Sequence, residues 1–225
     1  MKDIAAMIER IRVSLWDIFT FFMTGLLATI AACSLIIAYN LISPDDLVSY
    51  ISKLPAAITI VTAPVILTLL GILIEPPSNY LDKYILNHIL GWASAKKQKH
   101  SEEENILKKE ICEKYLGSLN GKIENPYSIC KEYVETKQLS TTFMVFLSRY
   151  GFYRNCSFIS VTTSILAMTL SKSFCSAIAS ILIGYIIAGI FKRRAEDFYS
   201  YLAPSIYRAF LIDKLNWTSK NESQK

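Results

Sequence analysis

Charge is scarce in this chain and unevenly placed. Only 19% of the 225 residues are Asp, Glu, Lys or Arg, against about a quarter in a soluble domain. None occurs for 27 residues between Asp17 and Asp45, or for 21 between Lys53 and Glu75. Shorter gaps of 17 and 19 residues separate Arg154 from Lys172 and Lys172 from Lys192. With 52% hydrophobic residues and a mean hydropathy of +0.31, the composition excludes an ordinary soluble enzyme and a disordered chain.

Groups that do chemistry are equally sparse. There are two histidines, His88 and His100, and the five cysteines (Cys33, Cys112, Cys130, Cys156, Cys175) form no C-x-x-C pair. Neither a metal site nor a bound cofactor is expected. The glycine-rich phosphate loops and the G-x-S-x-G nucleophile elbow are missing. Arg154-Asn155 resembles the opening of the helical HEPN ribonuclease signature, but no histidine follows, which removes the catalytic group. No nucleic-acid partner is expected. Ile30-Ala31-Ala32-Cys33 has the small residues of a lipid-attachment signal, yet the apolar run continues past Cys33, and we read it as part of a membrane helix.

What is present is long apolar runs. A spanning helix needs about 20 apolar residues, and four segments qualify: Ile18 to Ile42, Ala56 to Ile74, Asn155 to Leu170 and Phe174 to Phe191. The third is the shortest and is rich in Ser and Thr. Basic residues concentrate in 1–16, 76–154 and 192–225, which hold 22 of the 24 Lys and Arg. Positive segments stay on the cytoplasmic side, so both termini and the central segment are expected inside. The expected fold is an all-α membrane protein: four transmembrane helices in two hairpins, a small helical cytoplasmic domain and an amphipathic C-terminal helix. Its parts are an N-terminal helix (1–16), a first hairpin (17–75), the cytoplasmic domain (76–154), a second hairpin (155–191) and the tail (192–225). The expected location is a bacterial inner membrane.

In the central segment, Pro76-Pro77 should end the second span. Leu81, Ile85, His88 or Ile89, and Trp92 then recur at helical spacing, with Tyr80, Tyr84 and Trp92 suited either to the headgroup layer or to packing on the rest of the domain. Ala93 to Glu104 reads as a polar turn, and Ser101 to Glu104 as a capping box. Leu107, Ile111, Tyr115 and Leu119 make the stripe of the next helix, and Asn125-Pro126 starts another. In the tail, Ala195, Phe198, Leu202, Ile206 and Phe210 form one stripe, suited to docking on the central helices or to lying on the membrane surface.

Three groups of candidate residues emerge. Ser176, Ser180, Gly184 and Ala188 repeat every four residues on the fourth span. Such a small-residue face permits close helix packing, within the chain or in a homo-oligomer. Asp17 and Glu75, at the ends of the first two spans, are candidate anchors or gating groups with Arg149 and Arg154. Lys192, Arg193 and Arg194 read as a basic flank at the membrane surface. Gly25, Pro64 and Gly71 permit bends, and Asn40 with the serines and threonines of the third span supplies what little polarity a pathway would have. We expect a non-enzymatic, oligomeric membrane sensor or effector. Its cytoplasmic helices would bind a ligand or soluble protein, altering permeability or recruiting a partner, as in bacterial signalling or antiviral defence by analogy of layout alone. A small oligomeric channel or transporter and a scaffold subunit are the alternatives. The lipid bilayer is the partner common to all of them.

Overall fold

A computed structural model describes residues 2–53, 55–93, 98–115, 126–137 and 139–214. For residues 2–16 it describes the backbone alone. Expected features at Arg10, Arg12, Lys96, Lys97, Leu119, Asn125 and Trp217 lie outside the described residues or side chains. Among the described residues the chain is helical, with no strand. The helices are α1 (Lys2–Ala38), α2 (Pro44–Ser52), α3 (Ala56–Leu81), α4 (Asn87–Ile89), α5 (Gln98–Lys114), α6 (Tyr127–Thr136), α7 (Thr141–Leu170), α8 (Phe174–Ser200) and α9 (Leu202–Lys214). A π-helical turn, Asp82–Leu86, joins α3 to α4, and a single 3-10 turn, Gly91–Ala93, comes after α4. Among the described residues three stretches are long and apolar enough to cross a membrane: Asp17–Ala38, Thr59–Ile89 and Phe174–Lys214.

Two compact units form, one from residues 1–94 with 148–196 and the other from 95–147 with 197–225. In the first, α1 and α3 run antiparallel with their backbones in contact. A methyl group placed on Gly25 would overlap the Leu67 carbonyl, and one on Gly71 would overlap the Phe21 carbonyl. These glycines therefore serve close approach rather than the bends expected of them, and van der Waals contact between backbones is the gain. The same register puts Asp17 level with Glu75. Helix α7 runs parallel to α1: Ser148 Oγ donates to Asp17 Oδ1 at 2.9 Å, and Tyr39 OH donates to the Ala167 carbonyl at 2.6 Å. Helix α8 runs antiparallel to α7, with Ser157 Oγ donating to the Ala188 carbonyl at 3.0 Å and Gly184 seated on Ser164.

Helix ends in this unit are set by their side chains. α1 stops in a Schellman turn, Leu41 N–H donating to the Ile36 carbonyl and Asn40 N–H to that of Ile37. Asn40 takes φ 52°, a left-handed position that Asn tolerates, so its backbone caps the helix. The connection after it is not a plain loop. Ser43 Oγ accepts from Asp46 N–H at 3.1 Å and donates to its carboxylate at 2.7 Å, starting α2 with Pro44 at its first position.

Pro76 and Pro77 do not end α3, which continues to Leu81. The prolines withdraw two N–H donors, from the carbonyls four residues back, and crowd those turns. Contacts beyond them trace the path of the chain. Since α8 is antiparallel to α7, and α7 parallel to α1, a straight α3 would run parallel to α8. Instead Asp82 meets Lys192, Leu86 and Leu90 meet Ala188, and Ile89 meets Tyr185. That order is antiparallel. The chain has turned back across α8 after the prolines.

The second unit is held by one apolar core of Ile111, Cys130, Val134, Phe143, Leu202, Ile206, Tyr207, Phe210 and Leu211. Helix α9 lies on α5 and α6, the docked alternative for its stripe, with Phe210 edge-on to Tyr115 and Tyr133. At its rim Asp213 accepts from Tyr133 OH at 2.6 Å and from Lys137 Nζ at 3.0 Å. Two boundaries differ from expectation. α5 begins at Gln98, so Gln98 to Glu104 is helix rather than turn and Ser101 lies inside the first turn rather than at the cap. α6 begins at Tyr127 with Pro126 in the capping position, one residue later than expected, which is within the ordinary fraying of helix ends.

Candidate functional site: a buried ionic cluster

The first unit buries charge where α3, α7 and α8 meet. Lys192 on α8 is 1% exposed. Its Nζ donates to Asp82 Oδ1 at 2.7 Å and lies 2.9 Å from Glu196 Oε1. Glu196 is one helical turn beyond Lys192, the i, i+4 spacing at which side chains on one helix touch. Asp82 stands at the start of the π-turn and is itself buried. Arg154 on α7, also buried, reaches Glu75 on α3 at 3.5 Å, and its guanidinium lies 5.2 Å from the Tyr150 ring centroid. Glu75, Ser78 and Asp82 are spaced at three and four residues, so they line one face of the helix.

Three carboxylates thus share two cations. Removing such groups from water costs several kcal/mol per ion, which only close, well-directed pairs repay. The Lys192 pairs meet that condition. The Arg154 pair is longer, and the Arg154 Nε, Ser78 Oγ and Asn155 Oδ1 are buried with no hydrogen-bond partner among the described residues. The site therefore has one tight centre, at Lys192, and one incompletely satisfied flank, at Arg154. Such an arrangement can hold two helices in register. It has no metal-binding geometry: among the described residues no group of His, Cys, Asp and Glu is placed to hold an ion.

The fold unites some of the sequence candidates and separates others. Glu75 and Arg154 come together. Asp17 accepts from Ser148, while Arg149 is exposed. Lys192 is buried between Asp82 and Glu196 rather than open to its surroundings, whereas Arg193 and Arg194 are exposed. The small-residue stripe is divided. Gly184 and Ala188 are filled by α7 and by Leu86 and Leu90 of the same chain, so they are not open to a second subunit. Ser176 is exposed and Ser180 bonds back to its carbonyl. Ser157 of α7 bonds across to α8, while Ser160 and Ser164 bond to their own helix.

Sequence reasoning missed Asp82 altogether, and Lys192 as its partner. The single available signal was an acidic residue on the Glu75 face one turn beyond two prolines. Sequence and fold comparisons add no relative: no family model, no curated protein and no solved structure matches the chain.

Proposed function

We propose that this chain is an integral membrane protein with four spans in two hairpins, both termini and the second compact unit cytoplasmic. We propose further that it works as an oligomeric, non-enzymatic sensor or effector, in a bacterial inner membrane. The observation that carries the reading is the buried Lys192–Asp82–Glu196 centre. Ionisable groups placed against apolar spans are costly and are retained where they serve function. This centre links α3 to α8, and both α7 and α8 contribute residues to each compact unit. Opening this clasp would let α3 move against α8 and change permeability or expose a docking face.

α7 is the proposed third span. It is 30 residues long, about 45 Å at helical rise, and it packs beside α8 along its apolar half. A channel or transporter remains the second reading, favoured by the unsatisfied polar atoms beside Arg154. A scaffold subunit is the third.

The test is inducible expression with a membrane-potential dye, alongside crosslinking in native membranes and reporters fused to both ends. An effector gives crosslinked oligomers, both reporters inside, and depolarisation that changes when Asp82→Asn loosens the clasp. Reporters on opposite faces, or a monomer with no effect on potential in either form, would refute the proposal.

A further inference from the structure

The turn at Pro76-Pro77 leaves one side of the segment 80–92 uncovered. Its inner face is occupied by Asp82, Leu86 and Leu90, which pack on α8. Its outer face carries Tyr80 (64% exposed), Tyr84 (53%), Ile89 (56%) and Trp92 (56%). Lys83 Nζ lies 5.1 Å from the Tyr84 ring centroid, and Tyr80 stacks near Tyr84 at 4.8 Å. This is a face of amphipathic rings with one cation, and water is a poor neighbour for it.

Its depth can be read from contacts. Ala56 to Glu75 is 20 residues, about 30 Å of helix, which fills the hydrocarbon thickness. The chain beyond the prolines must leave the membrane or fold back along its boundary, and the contacts with α8 require the second course. Trp92 sits against Gly189 and Tyr185, in the charge-free part of α8, about one turn on the apolar side of Lys192. Lys83 lies at the clasp and so at the level of the exposed Arg193 and Arg194. The segment thus rises from the charged layer toward the acyl layer.

We infer that the Tyr80–Tyr84–Ile89–Trp92 face is a lipid-binding surface seated at the headgroup–acyl boundary of one leaflet, with Lys83 beside the phosphates. Tyr and Trp concentrate at that depth because each ring has an apolar body and a polar edge. The inference rests on the membrane reading above. It adds that bilayer lipid, and not a second copy of the chain, covers this face.

Trp92 is one of three tryptophans, with Trp16 and Trp217, so the variant Trp16→Phe/Trp217→Phe reports from Trp92 alone. The full-length protein is placed in phosphatidylcholine–phosphatidylglycerol vesicles whose lipids are brominated near the ester or near the chain end. The expected result is strong loss of Trp92 emission with the shallow bromines, weaker loss with the deep ones, and little with aqueous iodide. Quenching by iodide, strongest quenching by the deep bromines, or shielding from all three overturns the inference. As a second measurement, the unmodified protein in the same vesicles is footprinted. Tyr80 and Tyr84 should take a lipid-soluble diazirine label and resist aqueous hydroxyl radicals; the reverse pattern refutes the assignment. Failure of the membrane reading has a separate signature, since the protein would then not float with the vesicles at all.

Discussion

Replacing Lys192 by Met keeps the length of the side chain and removes its charge. Asp82 and Glu196 would then face each other across a site where Lys192 had been 1% exposed. Breaking a buried pair by deleting one partner costs about 3–5 kcal/mol, because the remaining charge is left uncompensated. The close contacts, 2.7 Å to Asp82 and 2.9 Å to Glu196, argue for the upper half of that range. For a chain of 150–250 residues, 1 kcal/mol moves Tm by about 2–4 °C, so Lys192→Met should lower it by roughly 8–20 °C. The assay is thermal unfolding of purified protein in one detergent, followed by far-ultraviolet circular dichroism. Two companions separate charge from packing. Arg193→Met, on the exposed neighbour, should change Tm by no more than about 2 °C. Lys192→Met combined with Asp82→Leu and Glu196→Gln should recover most of the loss, since apolar replacement of a whole buried ionic group is often neutral. If Lys192→Met melts within about 2 °C of the parent, the clasp does not hold α3 to α8 and the argument built on it fails.

Two further outcomes are expected. Gly71→Ala pushes a methyl into the Phe21 carbonyl, a backbone atom with no rotamer to escape into. Overpacking of this kind costs about 1–3 kcal/mol, and a cysteine crosslink between α1 and α3 should weaken in step with Tm; an unaltered crosslink and Tm would contradict the backbone contact. In the second unit burial pushes the Cys130 thiol up to about 11, with Cys112 adding to the shift. At pH 7.5 roughly one molecule in three thousand carries the thiolate that an alkylating agent needs. Folded protein treated with N-ethylmaleimide at that pH should be modified at exposed Cys175 and spared at Cys130. Because the thiol pKa is raised, its thiolate grows only as pH climbs toward 11. Equal labelling of the two at neutral pH would show that the α5–α6–α9 core is open.

The helices were legible in the sequence because the signals for them are local. Charge-free runs and the stripe through Leu202, Ile206 and Phe210 each announce a helix or a face within a few residues. Partnership is not local. Asp82 and Lys192 are 110 positions apart, and helical periodicity states which way a side chain points without naming what it meets. Lys192 opens a run of three cations, so by composition it belonged with Arg193 and Arg194. A fourfold repeat of small residues likewise promised a neighbour for Gly184, but only the fold identifies it as Ser164. Pro76-Pro77 read as a stop because proline ordinarily terminates a helix. Here the helix ran on with a change of course, which depends on α8 offering Ala188 and Tyr185 on the far side.

That change of course has a thermodynamic corollary. A hinge in an ordinary helix is stiff because swinging it tears backbone hydrogen bonds in a nonpolar medium. With neither Pro76 nor Pro77 able to donate, the carbonyls of Ile72 and Leu73 have no bond of that kind to lose. Displacing the segment from α8 would therefore be resisted by its side-chain contacts alone: Leu86, Leu90 and Trp92 on α8, the Tyr185 hydroxyl on the Ile89 carbonyl, and the ammonium between its two carboxylates, so the joint can stay supple while its lock sets the threshold.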